Sequence, residues 1–440
     1  MANEAVLSPE KGPRTFSVRL GLLAASAVLV LLVSGALLTV SLVSTRRIAE
    51  AVAAPLLESA VQETVMELNT LFAPIRRQLV ADYTAVRLGT LSSTDESVLK
   101  DAFVPRLAAL PQVGSVMIGD TEGRQFLVMR YDEAAYGSPL LAEHHARLPR
   151  PQPGAPQFFT REVRVGTWGE RSRWTLWAPE AMAVQAAWEL PLPGYDPRER
   201  PWHRSALAHF REVALHEAIA DPMPLLAWTD AYTMFTTKTP GMSASIAARD
   251  PSGRQLIVAY DLLLDEIAAF TARAAPGPHG QVFVMTDDGR LLGPPASPET
   301  VTESQRAASV LRTIEVSPFG EVAQAVAAWR ARGGDFPARW SMGIGGESWW
   351  VGFSEFVVGE DRRLWIGVLL PERDLVPEVQ AGRNAIRRIT AAALLVAAVL
   401  ALLFARGFSV PVRGLAEQSR RIAALDLEDQ PIVRSRVTEL

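Results

Sequence analysis

At 440 residues the chain exceeds one ordinary domain, and 48% apolar composition with a mean hydropathy of +0.11 is high for a wholly soluble protein. A net charge of -4 leaves no basic footprint for nucleic acid, and the absence of cysteine excludes disulfides, thiolate zinc sites and thiol catalysis. Six histidines are present, and His209 and His216 are two helical turns apart, about 10 Å, too far to share a metal. Neither a metal site nor a cofactor is expected.

In chain order, a cytoplasmic N-terminus (1–17) leads into an apolar run over 18–43 that bears no charge after Arg19. That is long enough to cross a bilayer core of about 30 Å as a helix, and much longer than the apolar part of a signal peptide. A second run, 386–405, is just long enough to span, and Arg406, Arg413, Arg420 and Arg421 follow it. Two spans put both chain ends in the cytoplasm and the segment between them outside it. From Arg46 to about Tyr83 the sequence is continuously helix-permissive. Leu56, Leu57, Val61, Val65, Leu68 and Leu71 form its apolar stripe, and Pro55 and Pro74 are potential kinks.

An internal repeat follows. Gly114 to Ile118 leads through Asp120 to Gly123-Arg124, and Gly280 to Val284 leads through Thr286 to Gly289-Arg290. Each copy reads as strand, acidic turn, Gly-Arg, strand, which is a hairpin signature. Further strands are predicted at 157–165, 172–177, 243–248 and 256–261, then at 336–342, 348–353 and 364–370. The pattern is α+β, with two antiparallel-sheet modules in tandem, a distal one at about 84–270 and a proximal one at about 279–371.

Between the predicted strands stands Tyr195-Asp-Pro-Arg-Glu-Arg200-Pro-Trp202-His203. Pro201 suits a first helical turn and biases Arg200 to extended backbone. Trp202, Ala206, Phe210 and Val213 then give the helix an apolar face for a sheet. Arg200 at the rim, beside an indole, can fork onto the two oxygens of a carboxylate, or else pair locally with Asp196 or Glu199. Asp261, near the end of a strand and just before a helix over 262–270, can cap that helix or meet an ammonium group in a pocket.

On these residues, together with Trp228-Thr-Asp-Ala-Tyr232, the segment 46–374 resembles the double Cache sensors of bacterial transmembrane receptors. The resemblance implies two PAS-like modules on a long N-terminal helix, flanked by two transmembrane helices. It also implies a periplasmic pocket in the distal module. In the family's amino-acid-binding members the pattern matched by Tyr195, Arg200, Trp202 and Tyr232 contacts the ligand carboxylate, and the aspartate matched by Asp261 holds the amine. His203, a sixth expected ligand-binding residue, stands where a tyrosine is usual, and Met234 where a second acid is usual.

The tail 406–440 resembles a HAMP linker, and Val412, Leu415, Ser419 and Ile422 follow a/d spacing. That implies a parallel homodimer, with the chain stopping in the second HAMP helix ahead of an output domain such as a nucleotide cyclase, diguanylate cyclase or histidine kinase. The expected function is an inner-membrane receptor, itself without catalytic residues, that senses a small carboxylate-bearing ligand: an amino acid, amine or organic acid. The alternatives are a membrane-tethered periplasmic hydrolase and a structural membrane protein. The first lacks a Gly-x-Ser-x-Gly elbow.

Overall fold

The computed structural model describes residues 18–375, apart from 93, 140, 143–147, 152–156, 179–182, 214–220, 297–300 and 360–361, together with scattered positions between 388 and 424. The chain divides into two compact units, Ala53–Asp374 and a second built from Met1–Val52 and Leu375–Leu440. Among the described residues no helix is long and apolar enough to cross a membrane. Most side chains of the expected span at 18–43, half of 386–405 and most of the 406–440 linker lie outside the described residues.

Helix α1 (Val18–Arg87) runs without interruption through Pro55 and Pro74. Within the 53–374 unit its buried positions are Ala53, Leu57, Ala60, Val61, Thr64, Leu68, Phe72, Ile75, Leu79, Asp82, Tyr83 and Val86, a stripe of three- and four-residue steps. The predicted stripe overlaps it at Leu57, Val61 and Leu68, whereas Leu56 is exposed and Val65 and Leu71 are half-buried. Helix α2 (Glu96–Ala109) follows, with Asp95 as its cap, accepting from the Ser97 and Val98 amides.

The first sheet holds β1 (Val113–Asp120), β2 (Arg124–Arg130), β3 (Phe158–Arg164), β4 (Arg171–Trp177), β5 (Val184–Pro191), β6 (Ala227–Trp228), β7 (Tyr232–Thr233), β8 (Pro240–Arg249) and β9 (Gln255–Leu263). All pairings are antiparallel, in the order β5-β4-β3-β2-β1-β9-β8-β6, and β7 also pairs with β8. Between them lie two short helices, α3 (Glu133–Tyr136) and α4 (Val165–Trp168), and the longer α5 (Pro201–Val213). As the three- and four-residue spacing of its apolar positions predicts, α5 packs on one face of this sheet. Trp202 and Ala206 join Met117, Phe159, Trp174, Ala247, Ile257 and Ala259 in one core, with Phe210 against it. Removing a side chain such as Trp202 from that core costs about 3 to 5 kcal/mol.

After α6 (Leu264–Arg273) the second sheet comprises β10 (Gln281–Thr286), β11 (Leu291–Gly293), β12 (Ala338–Ile344), β13 (Glu347–Gly359) and β14 (Arg362–Pro371), in the order β11-β10-β14-β13-β12. Helix α7 (Glu303–Ala307) carries a capping box from Thr302 and Gln305. Helix α8 (Gly320–Arg330) lays Trp329 flat on Phe353, with ring centroids 4.6 Å apart. The two predicted hairpins are β1–β2 and β10–β11, and their Gly-Arg turns match in backbone: Gly123 and Gly289 have φ of 88° and 82°, the left-handed region that favours glycine.

Candidate functional site

The loop before α5 sorts its charges locally. Asp196 caps the turn at Pro197–Glu199, accepting from the Arg198 amide at 2.8 Å, and its carboxylate pairs with the Arg198 guanidinium at 2.5 Å. That hydrogen-bonded partner holds the Asp196 carboxyl below its usual value. Glu199 lies 3.8 Å from Arg204. Both acids that might have neutralised Arg200 are therefore directed to other arginines. Arg200 has extended backbone (φ -74°, ψ 146°), as the following proline requires. Its half-buried guanidinium sits among three rings, 5.9 Å from Tyr195, 5.9 Å from Tyr232 and 5.5 Å from Phe235. Among the described residues no carboxylate pairs with it.

These groups line one cavity of about 110 Å³ on the α5 side of the first sheet, shared by Tyr195, Arg200, Trp202, Tyr232 and Asp261. Trp202 is 2% exposed, and its ring lies so close on β1 that a Cβ at Gly119 would sit 2.8 Å from it. Opposite, Asp261 of β9 is in register with Ser115 of β1 on one side and Ser243 of β8 on the other. Both hydroxyls donate to its carboxylate at 2.6 Å. Burial pushes the Asp261 carboxyl up, and these hydroxyls and the charges of Arg200 and Arg161 oppose that only in part. Tyr232 shares a 2.8 Å hydrogen bond with Ser243, and burial beside Asp261 raises its phenol well above its usual value. Since Asp261 is bonded across the sheet, it does not cap α6, whose N-terminus has no side-chain cap.

Five of the six residues expected from sequence thus meet at one cavity, and Met234 joins them. His203 does not. It is 2% exposed, and its Nε2 lies 3.0 Å from the Asp120 carbonyl, away from the lining residues. A carbonyl only accepts, so Nε2 carries the proton, and Nδ1 has no hydrogen-bond partner among the described residues. One residue along a helix turns the side chain by about 100°, which here carries His203 off the cavity that Trp202 lines.

Burial lowers the pKa of His203, so the unfolded chain takes up the proton first as pH falls below the ordinary value of 6.5. Stability is accordingly lost as the solution is acidified through that value, at no more than about 1.4 kcal/mol per pH unit for one proton. His203→Gln, whose amide can still donate to Asp120, should flatten the melting temperature between pH 7.5 and 5.5 relative to wild type. Parallel profiles for the two proteins would contradict the buried neutral imidazole.

Sequence reasoning missed Arg161 and Gln125. Arg161 is 1% exposed on β3; its guanidinium donates to Gln125 Oε1 at 2.9 Å, Tyr195 Oη at 2.8 Å and Thr236 Oγ1 at 3.0 Å. The signal was present: Arg161 alternates with Phe159 and Val163, so it stands on the apolar row of its strand.

No family model matches the chain. Over 108 residues it is 27% identical to the methyl-accepting chemotaxis protein McpA of Bacillus subtilis, covering 24% of this chain and 14% of that protein. Over 186 residues it is 26% identical to adenylate cyclase 1 of Rhizobium meliloti, covering 42% of this chain and 24% of that protein. The chain therefore spans only a minor part of the length of either relative. Among solved structures it is similar to the ligand-binding domain of the Pseudomonas fluorescens chemoreceptor CtaA in complex with L-isoleucine (TM-score 0.40, 14% identity, 76% of this chain and 96% of that one). It is also similar to that of the Pseudomonas aeruginosa amino-acid chemoreceptor PctC in complex with GABA (TM-score 0.39, 16% identity, 70% and 96%).

Proposed function

We propose that the 53–374 unit is a double Cache sensor that binds a small carboxylate-bearing molecule in the cavity beneath α5. The observation that carries this reading is Arg200, a guanidinium among three aromatic rings with no carboxylate partner among the described residues. A cation held in that way matches a ligand carboxylate, with Trp202 and Tyr195 closing the same wall. Asp261, braced by two serine hydroxyls on the facing wall, receives an ammonium or hydroxyl group of the ligand.

In this reading 18–43 and 386–405 cross the inner membrane and place the sensor in the periplasm. The 406–440 HAMP linker then passes the bound state to a cytoplasmic output within a parallel homodimer. The continuity of α1 from Val18 to Arg87 supports it, since the helix that holds part of the sensor core also runs through most of 18–43. The curated relatives are named for chemotaxis in one case and for cyclase activity in the other, so the output is left open between them.

Thermal-shift titration of the full-length chain tests the reading. An amino acid or short organic acid at a hundred times its dissociation constant should stabilise the sensor by about 2.7 kcal/mol. Failure of every small carboxylate to raise the melting temperature would remove the basis for a carboxylate site.

A further inference from the structure

The cavity wall holds a second buried cation, Arg161. Arg161 is 1% exposed, and its three hydrogen bonds all go to neutral acceptors, on Gln125, Tyr195 and Thr236. Its buried Nε has no hydrogen-bond partner among the described residues, and the guanidinium lies over the Trp174 and Tyr195 rings, 5.5 and 4.8 Å from their centroids. Among the described residues no carboxylate pairs with this guanidinium. The one buried acid on the lining, Asp261, feels the charges of both Arg200 and Arg161, so a single carboxylate serves two guanidinium groups. The other lining acids, Asp132 and Asp265, are exposed; Asp132 is further engaged as the cap of α3, accepting from the Ala135 amide at 2.8 Å, and lies beside Arg130. The inner wall thus presents two guanidinium groups against a single carboxylate.

Resting on the carboxylate-site reading above, we infer that Arg161 is a second anion-recognising residue and that the cavity selects small acids with two carboxylates over uncharged-side-chain amino acids of the same shape. An α-amino acid with a neutral side chain brings one carboxylate and one ammonium, and leaves the excess positive charge of the wall in place. A ligand with an additional carboxylate offsets that charge. Size permits this: about 110 Å³ corresponds to roughly eight water positions, enough for a four- or five-carbon dicarboxylate or an acidic amino acid. Phe235 and Met234 on the same lining offer no competing charge.

The test is calorimetric titration of the full-length protein with isosteric pairs that differ only in the acid: aspartate against asparagine, glutamate against glutamine, succinate against succinamate. The acid of at least one pair should bind about tenfold or more tightly than its amide, the size expected of one charge-assisted contact in a buried site. Arg161→Gln should bring that ratio close to one, and Arg161→Lys, which keeps the charge, should retain a preference for the acid. Equal affinities within every pair for wild type would overturn the inference while leaving the carboxylate site standing, and so would an acid preference that Arg161→Gln leaves intact. If no member of any pair binds and neutral-side-chain amino acids and monocarboxylates fail as well, the carboxylate site itself falls and the inference with it. The wild-type ratios decide the matter even if Arg161→Gln fails to fold.

Discussion

Asp82→Ala should destabilise the 53–374 unit by about 3 to 5 kcal/mol, the cost of breaking a buried charged pair from one side. Asp82 is fully buried on α1 and gathers three partners: the Tyr260 hydroxyl at 2.5 Å, the Gln78 amide at 3.1 Å and Arg106 Nε at 3.1 Å. Truncation strands the Tyr260 hydroxyl in the core and leaves Arg106 without its carboxylate. The Arg106 side chain keeps 22% exposure and can draw on water, which places the loss nearer 3 than 5 kcal/mol. Asp82→Asn, which preserves an acceptor for Tyr260, should lose less, and denaturant unfolding of the two variants measures the difference.

The pH dependence has a definite sign. Burial raises the Asp82 carboxyl, against the pull of Arg106, so the folded state binds this proton more tightly than the unfolded chain. Stability therefore decreases as pH rises between the ordinary carboxyl value of 3.8 and the raised one. Asp261 shifts in the same direction, so Asp82→Asn should reduce this slope without abolishing it.

Arg200→Ala should lower affinity for the cognate ligand by about 2 to 5 kcal/mol, more than tenfold, with little change in the melting temperature of the ligand-free protein. The asymmetry follows from its surroundings. The guanidinium makes no ion pair with the described residues, and its three ring contacts lie at 5.5 to 5.9 Å, near the outer limit for an attraction worth about 0.5 to 1 kcal/mol at exposed sites. What the alanine variant lacks is chiefly a partner for the ligand. Normal binding by calorimetry, or a collapse of apo stability, would show the arginine to be structural.

The two sheets, their hairpins and α5 were legible because period-two and period-3.6 patterns reflect burial on one face, which both sheets and α5 provide. Strand β5 was missed although Ala186, Trp188 and Leu190 alternate onto the core; its outer position leaves the first two only half-buried. Arg200, Trp202 and Asp261 were legible as a group through a short motif, whereas Arg161 was hidden inside a strand whose neighbours Phe159 and Val163 read as ordinary core. His203 was misplaced because adjacency along a helix is not adjacency in space. For Asp261 the residue order alone left both a helix cap, the commoner use of an acid there, and a pocket acid open. The matter turned on Ser115 and Ser243, each from a different strand, which only the sheet register brings alongside it.

That register carries a consequence for how this sequence can diverge. Along β9, Tyr260 reaches Asp82 on one face, while Asp261 meets the two serines on the other. A single-codon insertion or deletion upstream of this pair within the strand would exchange their faces, delivering a phenol to the cavity and a carboxylate to α1 beside Asp82. The same event would break the cavity and place two acids together in the core. Length variation among descendants of this sequence should therefore fall in the turn at Asp250–Gly253 and leave the spacing from Gln255 to Leu263 invariant.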